Sequence, residues 1–514
     1  MSQGPEPSTG NARAIGRRLP AAVDLLALYA KLSDRGRRAD TMMFETTAGA
    51  SIILERGALR VECKGGKVVL DALTSGGESV LGVLAREFCE RIVERSGARV
   101  VLRYDRSTEV DARQRLLAPS PFDVLRAVNR LFPSQTPEEP FTLCLIGIVG
   151  FDHVDLFEEL PEPNEDPVGF PEFVFWLAES AVIGEPRLAP RLVCTSFSAG
   201  SDDETKRAHF SAVERLGELA HRASDVRPLE TPAAPRGAVQ VDLDDGAYAS
   251  VVTALKQHIL AGDVYQIVAS RSFSAPCPDP ISAFARVRSI DRSPYMFFVS
   301  MEQWSVFGCS PETSVRVLRQ DGIRTVEVKP IAGTRPRGAS PDEDDRMEAD
   351  LRLDPKESAE HMMLVDLARN DVARVSEPGT RHVAELMVLE KYARVMHLVS
   401  SVKGELAAEL DALHALQACL NPGTLSGAPK LKAMQLLRQY ERTRRGPYGG
   451  TIGWLNGEGS MDTAIVIRSA LVKDGIGHVR TGAGIVHDSD PLSEADETRR
   501  KASAVLSAIT GTLA

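Results

Sequence analysis

Short apolar runs at 51–54, 59–63 and 67–70, broken by glycines, predict a small antiparallel meander near the N-terminus. Beyond residue 245, apolar and aromatic runs at 295–299, 305–308, 325–328, 451–455, 463–471 and 477–480 read as further strands, with helical stretches between them. The regular alternation of strand and helix that marks a parallel βαβ fold is missing. The expected class is therefore α+β, with large antiparallel β-sheets flanked by helices and a chain long enough for a deep active-site cleft. Polar or proline-rich segments at 199–207 and 227–239 flank one helical stretch. The second marks the expected boundary between an N-terminal region, 20–235, and a region at 240–514 where the candidate chemistry concentrates. Residues 1–19, rich in Gly, Pro and Arg, read as a frayed tail.

Two predicted helices carry paired carboxylates. In the first, Asp354 is a natural N-cap, Pro355 suits the first helical position, and Glu357 three residues after the cap completes a capping-box pattern. Glu357, Glu360, His361 and Leu364 then share one face at spacings of three and four. In the second, Ser493 reads as the cap, with Glu494 and Glu497 at i and i+3 and Lys501 one turn on. Hard oxygen ligands of this kind suit Mg²⁺, which takes one or two protein carboxylates beside an anionic substrate. The plain alternative for each helix is a capping glutamate and a solvated one.

Three glycine-rich turns lie between these helices, at 330–335, 423–430 and 482–484. Successive free N–H groups at such places bind carboxylate or phosphate, although any one of them also reads as a structural loop. None satisfies the GxxxxGK[ST] or dinucleotide patterns, which excludes nucleotide binding by those devices. Arg468 interrupts a strand that otherwise reads as buried, so its charge needs a partner, and a bound carboxylate would serve. His397, flanked by apolar residues, reads either as a satisfied structural histidine or as a general acid or base.

Composition narrows the ligand class. The 514 residues carry a formal net charge of −10, which offers no general attraction to nucleic acid or to anionic lipid, so an anionic ligand must be held by a local basic cluster. Seven cysteines show no CxxC pair or repeated spacing, against a zinc site or a disulfide framework, and fit a reducing compartment. No apolar stretch is long enough to span a bilayer and the N-terminal segment lacks the apolar run of a signal peptide, so a cytoplasmic location is expected.

The segments GDVYQIVASR (262–271), SPYMFF (293–298), FGCSPE (307–312), PIAGTRPRG (330–338), EHMMLVDLARND (360–371), VMHLVS (395–400), GTLSGAPK (423–430), YGG (448–450), IVIRSA (465–470) and EADETRRKA (494–502) resemble the chorismate-utilising enzymes, and within them the anthranilate-synthase large subunits. The resemblance runs almost without gaps from about residue 262 and more loosely before it. It implies Mg²⁺ held by Glu360 and Glu497, with Glu494 and Glu357 in support, against the ring carboxylate of chorismate. It implies that Arg468, Tyr448 and the backbone of Gly482, Ala483 and Gly484 hold the other carboxylate, and that Thr334, Thr424 and Lys501 complete the cradle. His397 matches the family histidine associated with loss of pyruvate.

Two positions sort the family. Gln266 stands where water-adding relatives carry a lysine, and Ala332 stands where aminodeoxychorismate synthases often carry one, so direct addition of ammonia is implied. No GxCxG glutaminase turn occurs in the chain, which implies a separate glutaminase subunit and a hetero-oligomer. The implied product is anthranilate, with 2-amino-2-deoxyisochorismate as the alternative. In tryptophan-inhibited relatives an LLES segment and SPYMFF form the inhibitor pocket. Here Glu45, Pro294, Tyr295 and Met296 are in place, while Thr46, Ala464 and Trp454 alter it.

Overall fold

The computed structural model describes residues 9–392 and 395–511. Antiparallel strands form two limbs that diverge from one long strand, Ser51–Lys64. The first limb runs from it through Thr41–Thr46, Tyr295–Ser300, Ser305–Ser310, Ser469–Lys473 and Ile476–Ile485 to Gln266–Pro276, each paired with the next. The second runs through Phe173–Gly184, Cys144–Val149, Thr451–Asn456, Met461–Ile465, Thr313–Gln320 and Ile323–Val328 to Val395–Glu405. That last strand also pairs with Ile331–Pro336 and His382–Lys391. Strands from either side of the expected 227–239 boundary thus pair directly, Thr41–Thr46 with Tyr295–Ser300 and Cys144–Val149 with Thr451–Asn456.

Side chains alternate across each strand, so each limb has two faces to cover. One face of each meets the other limb in a core built from strands and loops, including Phe44, Ile146, Trp176, Phe297 and Ile452. The outer face of the first limb is covered by helices Leu25–Leu32, Asp202–Arg222, Pro280–Ile290 and Pro491–Thr510, and that of the second by Ser75–Glu87, Asp123–Leu131, Pro355–Ala373 and Ala412–Cys419. Among the described residues, no helix is long and apolar enough to cross a membrane.

Several local expectations meet a different outcome. Residues 11–18, expected to fray, form the strand Asn11–Arg18 against Arg191–Ser198, because the sheet edge supplies the backbone partners that composition alone does not reveal. Residues 1–8 of that expected tail lie outside the described residues. Of the expected turns, 331–335 and Gly482–Gly484 are instead parts of the strands Ile331–Pro336 and Ile476–Ile485, the first with a bulge at Gly333, whose φ is +74°. The run 463–471 is two strands, Met461–Ile465 and Ser469–Lys473, in different limbs, with Arg468 at the break in the left-handed region at φ +49°.

Arg271 shows how the pieces are pinned. It is 1% exposed, on the Gln266–Pro276 strand, and its guanidinium donates to Thr498 Oγ1, Leu243 O, Asp245 Oδ1 and Ala495 O, each at 2.8 Å. One cation thereby ties the strand to the Asp245–Leu260 and Pro491–Thr510 helices. Truncating it strands buried acceptors, so Arg271→Ala is expected to cost about 3–5 kcal/mol, read as a lower urea midpoint than the wild-type chain.

Candidate active site

The chain crosses between the limbs at two places that lie side by side. Pro311 and Glu312 join Ser305–Ser310 in the first limb to Thr313–Gln320 in the second, and 466–468 make the return crossing. Backbone bonds lock the two crossings together, Ile465 N–H to Glu312 O at 3.0 Å and Cys309 N–H to Arg468 O at 3.2 Å. Glu312 and Arg468 are thus held where the limbs part.

Glu312 is 7% exposed and accepts a hydrogen bond from Thr424 Oγ1 at 3.0 Å. Burial pushes its carboxyl up to about 8, against the pull of the Thr424 hydroxyl and of Lys501 and Arg468, so it is an acid that keeps its proton at neutral pH. Arg468 donates to Lys501 O at 3.3 Å, and the acidic groups that act on its charge include Asp291, Tyr448, Glu497 and Glu312. Lys501 Nζ in turn donates to Gly482 O at 3.0 Å and pairs with Glu497 at 2.6 Å.

The Ile476–Ile485 strand offers more than that one carbonyl. Ser270 N–H goes to Glu441 and Val268 N–H to Ser426 O, away from this strand, so their opposite residues Gly482 and Gly484 also turn their backbone groups outward. Of the Ile476–Ile485 strand, Ser469–Lys473 pairs only with residues 476–478, so among the described residues the rest of that outer edge has no strand partner. The glycines are needed for close approach: a Cβ on Gly482 would lie 2.7 Å from Ala269 O and 3.2 Å from Tyr448 Oη, and one on Gly484 would lie 2.7 Å from Gln266 Nε2. Tyr448 is buried against Leu425 and Ile465. Arg468, Lys501, Tyr448 and the outward N–H groups make a basic, donor-rich cradle for a carboxylate.

The carboxylate helices face each other beside it. Asp354 caps the Pro355–Ala373 helix by accepting from Lys356 N–H and Glu357 N–H. The expected capping box is only half made, because the Glu357 carboxylate pairs instead with Arg335 at 3.2 Å, a guanidinium that also holds Asp350 and Asp354. The second helix, Pro491–Thr510, is capped by Asp490 and not by Ser493, whose N–H and hydroxyl both donate to Asp490. Burial raises Glu360, and so do the charges of Glu357, Glu494 and Glu497 against the relief of Lys356. Glu494 is raised likewise by burial and by Glu497, while the charge and hydrogen bond of Lys501 outweigh burial at Glu497 and lower it. Among the described residues no three His, Cys, Asp or Glu side chains are gathered closely enough to hold a metal alone. A surplus of mutually repelling carboxylates short of a full cage fits Mg²⁺, whose remaining ligands are substrate and water.

His397 stands on Val395–Glu405 opposite Thr334. Its Nδ1 is 3.0 Å from Gly333 O and 3.1 Å from Thr334 Oγ1. With Nδ1–H donating to the carbonyl, Nε2 carries the lone pair. Burial lowers its proton affinity, aided by the Arg468 charge and opposed by the Gly333 carbonyl, so the ring is neutral at neutral pH.

Residues 84–507 match the sequence pattern of the chorismate binding enzymes. The chain belongs to the chorismate binding enzyme family. It is 43% identical over 509 residues to anthranilate synthase component 1 of Vibrio cholerae, covering 96% of this chain and 95% of that one. It is 45% identical over 474 residues to the pyocyanine-specific anthranilate synthase component 1 of Pseudomonas aeruginosa, covering 90% and 87%. The solved anthranilate synthase component I of Streptococcus pneumoniae superposes with a TM-score of 0.69 at 29% identity, over 90% of this chain and 93% of that chain.

The residues expected at an inhibitor pocket are a second set. Glu45, Thr46, Pro294, Tyr295 and Met296 lie along the pairing of Thr41–Thr46 with Tyr295–Ser300. Arg288 holds the Glu45 carboxylate through two bonds of 3.0 and 2.9 Å, the Tyr295 hydroxyl donates to Asp462 at 3.0 Å, and the Trp454 indole donates to Ala50 O. The polar ends of that segment are already paired within the chain. Glu312 was the omission: FGCSPE carries the family resemblance, yet the sequence assigns its glutamate no role. A glutamate after a proline between two strands that read as buried is the signal that points to it.

If neutral Glu312 donates a proton in turnover, activity is retained below its value and lost as pH rises through about 8. Glu312→Gln is expected to lower kcat by about 10²–10⁴ and to remove that alkaline limb, checked by kcat profiles of both proteins across neutral to alkaline pH.

Proposed function

We propose that this chorismate binding enzyme is the ammonia-using subunit of an anthranilate synthase, converting chorismate and ammonia to anthranilate and pyruvate with Mg²⁺. The observation that carries the reading is Gln266. It is buried against Gly484, its amide oxygen has no hydrogen-bond partner among the described residues, and it is neutral. Attack by water would need a base there, whereas ammonia is already a nucleophile and needs an acceptor to orient it.

Glu360 and Glu497 would hold Mg²⁺, with Glu494 and Glu357 around them. When bound, the ion supplies a Lewis acid at the ring carboxylate and helps the ring hydroxyl depart. Arg468, Tyr448, Lys501 and the outward backbone of Gly482 and Gly484 hold the second carboxylate and fix the ring from its other end, while the backbone of Ala483, expected with them, faces the neighbouring strand. Glu312, oriented by Thr424, gives its proton to the leaving hydroxyl, which departs as water as the C–N bond forms. His397 Nε2 then removes the proton from the aminated ring carbon, the enol ether C–O bond breaks, and the released enol becomes pyruvate. Gly333 O and Thr334 hold the ring through Nδ1, which leaves the lone pair of the neutral imidazole on Nε2 and aims it. Ala332 offers no amine for a covalent route.

The relatives named above are each a component 1, which supports a second component. Together with the missing glutaminase turn, this leads us to assign ammonia supply to a separate glutaminase subunit in a hetero-oligomer, in a cytoplasmic setting consistent with seven free cysteines.

With chorismate, Mg²⁺ and ammonium the purified chain is expected to release anthranilate and pyruvate together, followed by fluorescence and a coupled pyruvate assay. His397→Met is expected to consume chorismate but accumulate an aminated cyclohexadiene without pyruvate. That product from the unaltered chain would instead make it a 2-amino-2-deoxyisochorismate synthase. Glu360→Gln leaves the core intact and is expected to reduce turnover at least about 100-fold at saturating Mg²⁺, with the unfolding midpoint unchanged. Near-normal turnover would remove Glu360 from the metal site.

A further inference from the structure

Gln266 is the first residue of its strand, and its place depends on the turn before it. The Asp245–Leu260 helix ends there, with Gly262 at φ +81° and Asp263 N–H bonded back to His258 O at 2.9 Å. On both sides of Gln266 the chain is stitched to the 423–430 segment: Tyr265 N–H donates to Ala428 O at 2.7 Å, Val268 N–H to Ser426 O at 3.0 Å, and Gln266 pairs in register with Ala428. Thr424, which orients Glu312, belongs to the same segment. The geometry relating Gln266 to Glu312 is therefore set by how the turn at 261–265 sits against the Lys430–Tyr440 helix that follows the segment.

Side chains span that junction in a continuous line. Asp263 Oδ2 is 2.8 Å from His258 Nδ1, His258 Nε2 is 3.0 Å from the Tyr440 hydroxyl, and Asp263 Oδ1 is 3.5 Å from Lys432 Nζ. The His258 and Tyr440 rings meet edge to face at 5.8 Å. With a neutral imidazole every donor finds an acceptor in one direction: the Tyr440 O–H donates to Nε2 and Nδ1–H donates to the Asp263 carboxylate. Three elements are joined, namely the end of one helix, the turn, and both ends of the other helix. None of these side chains touches the Glu360, Glu494 and Glu497 group or Arg468. His258 and Asp263 remain 27% and 35% exposed, so replacing them empties no core.

We propose that Asp263, His258 and Tyr440 form a positioning relay that sets Gln266 in the nucleophile subsite against Thr424 and Glu312. The relay rests on the reading of Gln266 given above, and it acts on ammonia capture without acting on chorismate binding. Misplacement of a reacting partner by about 1 Å costs up to about 100-fold, so loosening this turn has a kinetic signature.

The test is saturation kinetics of the full chain against ammonium at saturating chorismate, and against chorismate at saturating ammonium, for His258→Ala, His258→Gln, Tyr440→Phe and Gln266→Ala. His258→Ala and Tyr440→Phe are expected to lower kcat/KM for ammonium by about 10- to 100-fold while the KM for chorismate stays within about two-fold. His258→Gln, whose amide can donate to Asp263 and accept from Tyr440, is expected to recover most of the loss. Equal losses for both substrates, or no recovery with glutamine, would reduce the relay to a surface clasp and overturn the proposal. Loss of ammonium use in Gln266→Ala together with normal kinetics in His258→Ala would overturn the relay alone. Normal ammonium kinetics in Gln266→Ala would overturn the nucleophile subsite itself, and the relay with it.

Discussion

Everything at the site depends on the paired crossings of the chain between its two limbs. A strand that stayed in one sheet would bury Glu312 and Arg468 among apolar neighbours, where an unpaired carboxyl and guanidinium are costly. At the crossings the limbs separate, and each residue reaches the gap from backbone fixed by the other crossing, Ile465 to Glu312 and Cys309 to Arg468. Arg468 adopts φ +49° to make its turn, a conformation that costs a side-chain-bearing residue of order 1–3 kcal/mol and persists because both flanking strands are locked. The strain sits at the arginine of the donor-rich cradle.

The second constraint is charge. Glu357, Glu360, Glu494 and Glu497 repel one another, and the chain balances them unequally. Lys501 draws Glu497 down and Arg335 engages Glu357, while Glu360 and Glu494 are left raised. Lys501 also contacts the Gly482 carbonyl, and Arg468 contacts the Lys501 carbonyl, so the helix that carries Glu494 and Glu497 is tied through its own lysine to the donor-rich cradle. A dianionic substrate with its ion would complete this balance from both ends.

The sequence made the helix carrying Glu357 and Glu360 legible down to its cap, because Asp-Pro followed by Glu at N3 is a local signal and the cap is a local interaction. Several strands were legible for the same reason. What was not legible depends on partners far along the chain. Asn11–Arg18 reads as polar tail until Arg191–Ser198 supplies its hydrogen bonds. Residues 463–471 read as one apolar strand because crossing from limb to limb leaves no mark in composition. The same crossing hid Glu312, whose raised proton affinity is set by burial between segments more than a hundred residues apart, and Asp490 displaced Ser493 as a cap because only the structure shows which oxygen reaches the helix end.

The protonation states fit one another in a way that bears on the chemistry. Burial keeps a proton on Glu312 and keeps one off His397, the same physical term acting with opposite sign on a carboxyl and an imidazole. A neutral acid and a neutral base thus coexist near Arg468 at the same pH, which a pair of solvated side chains could not provide, since the carboxyl would have lost its proton well before the imidazole lost its own. Gln266 adds no charge to this set. A lysine there would bring a cation whose proton affinity falls on burial, suited to activating water, whereas the neutral amide leaves the acid and the base unperturbed and would, on the reading proposed above, suit a nucleophile that arrives already competent.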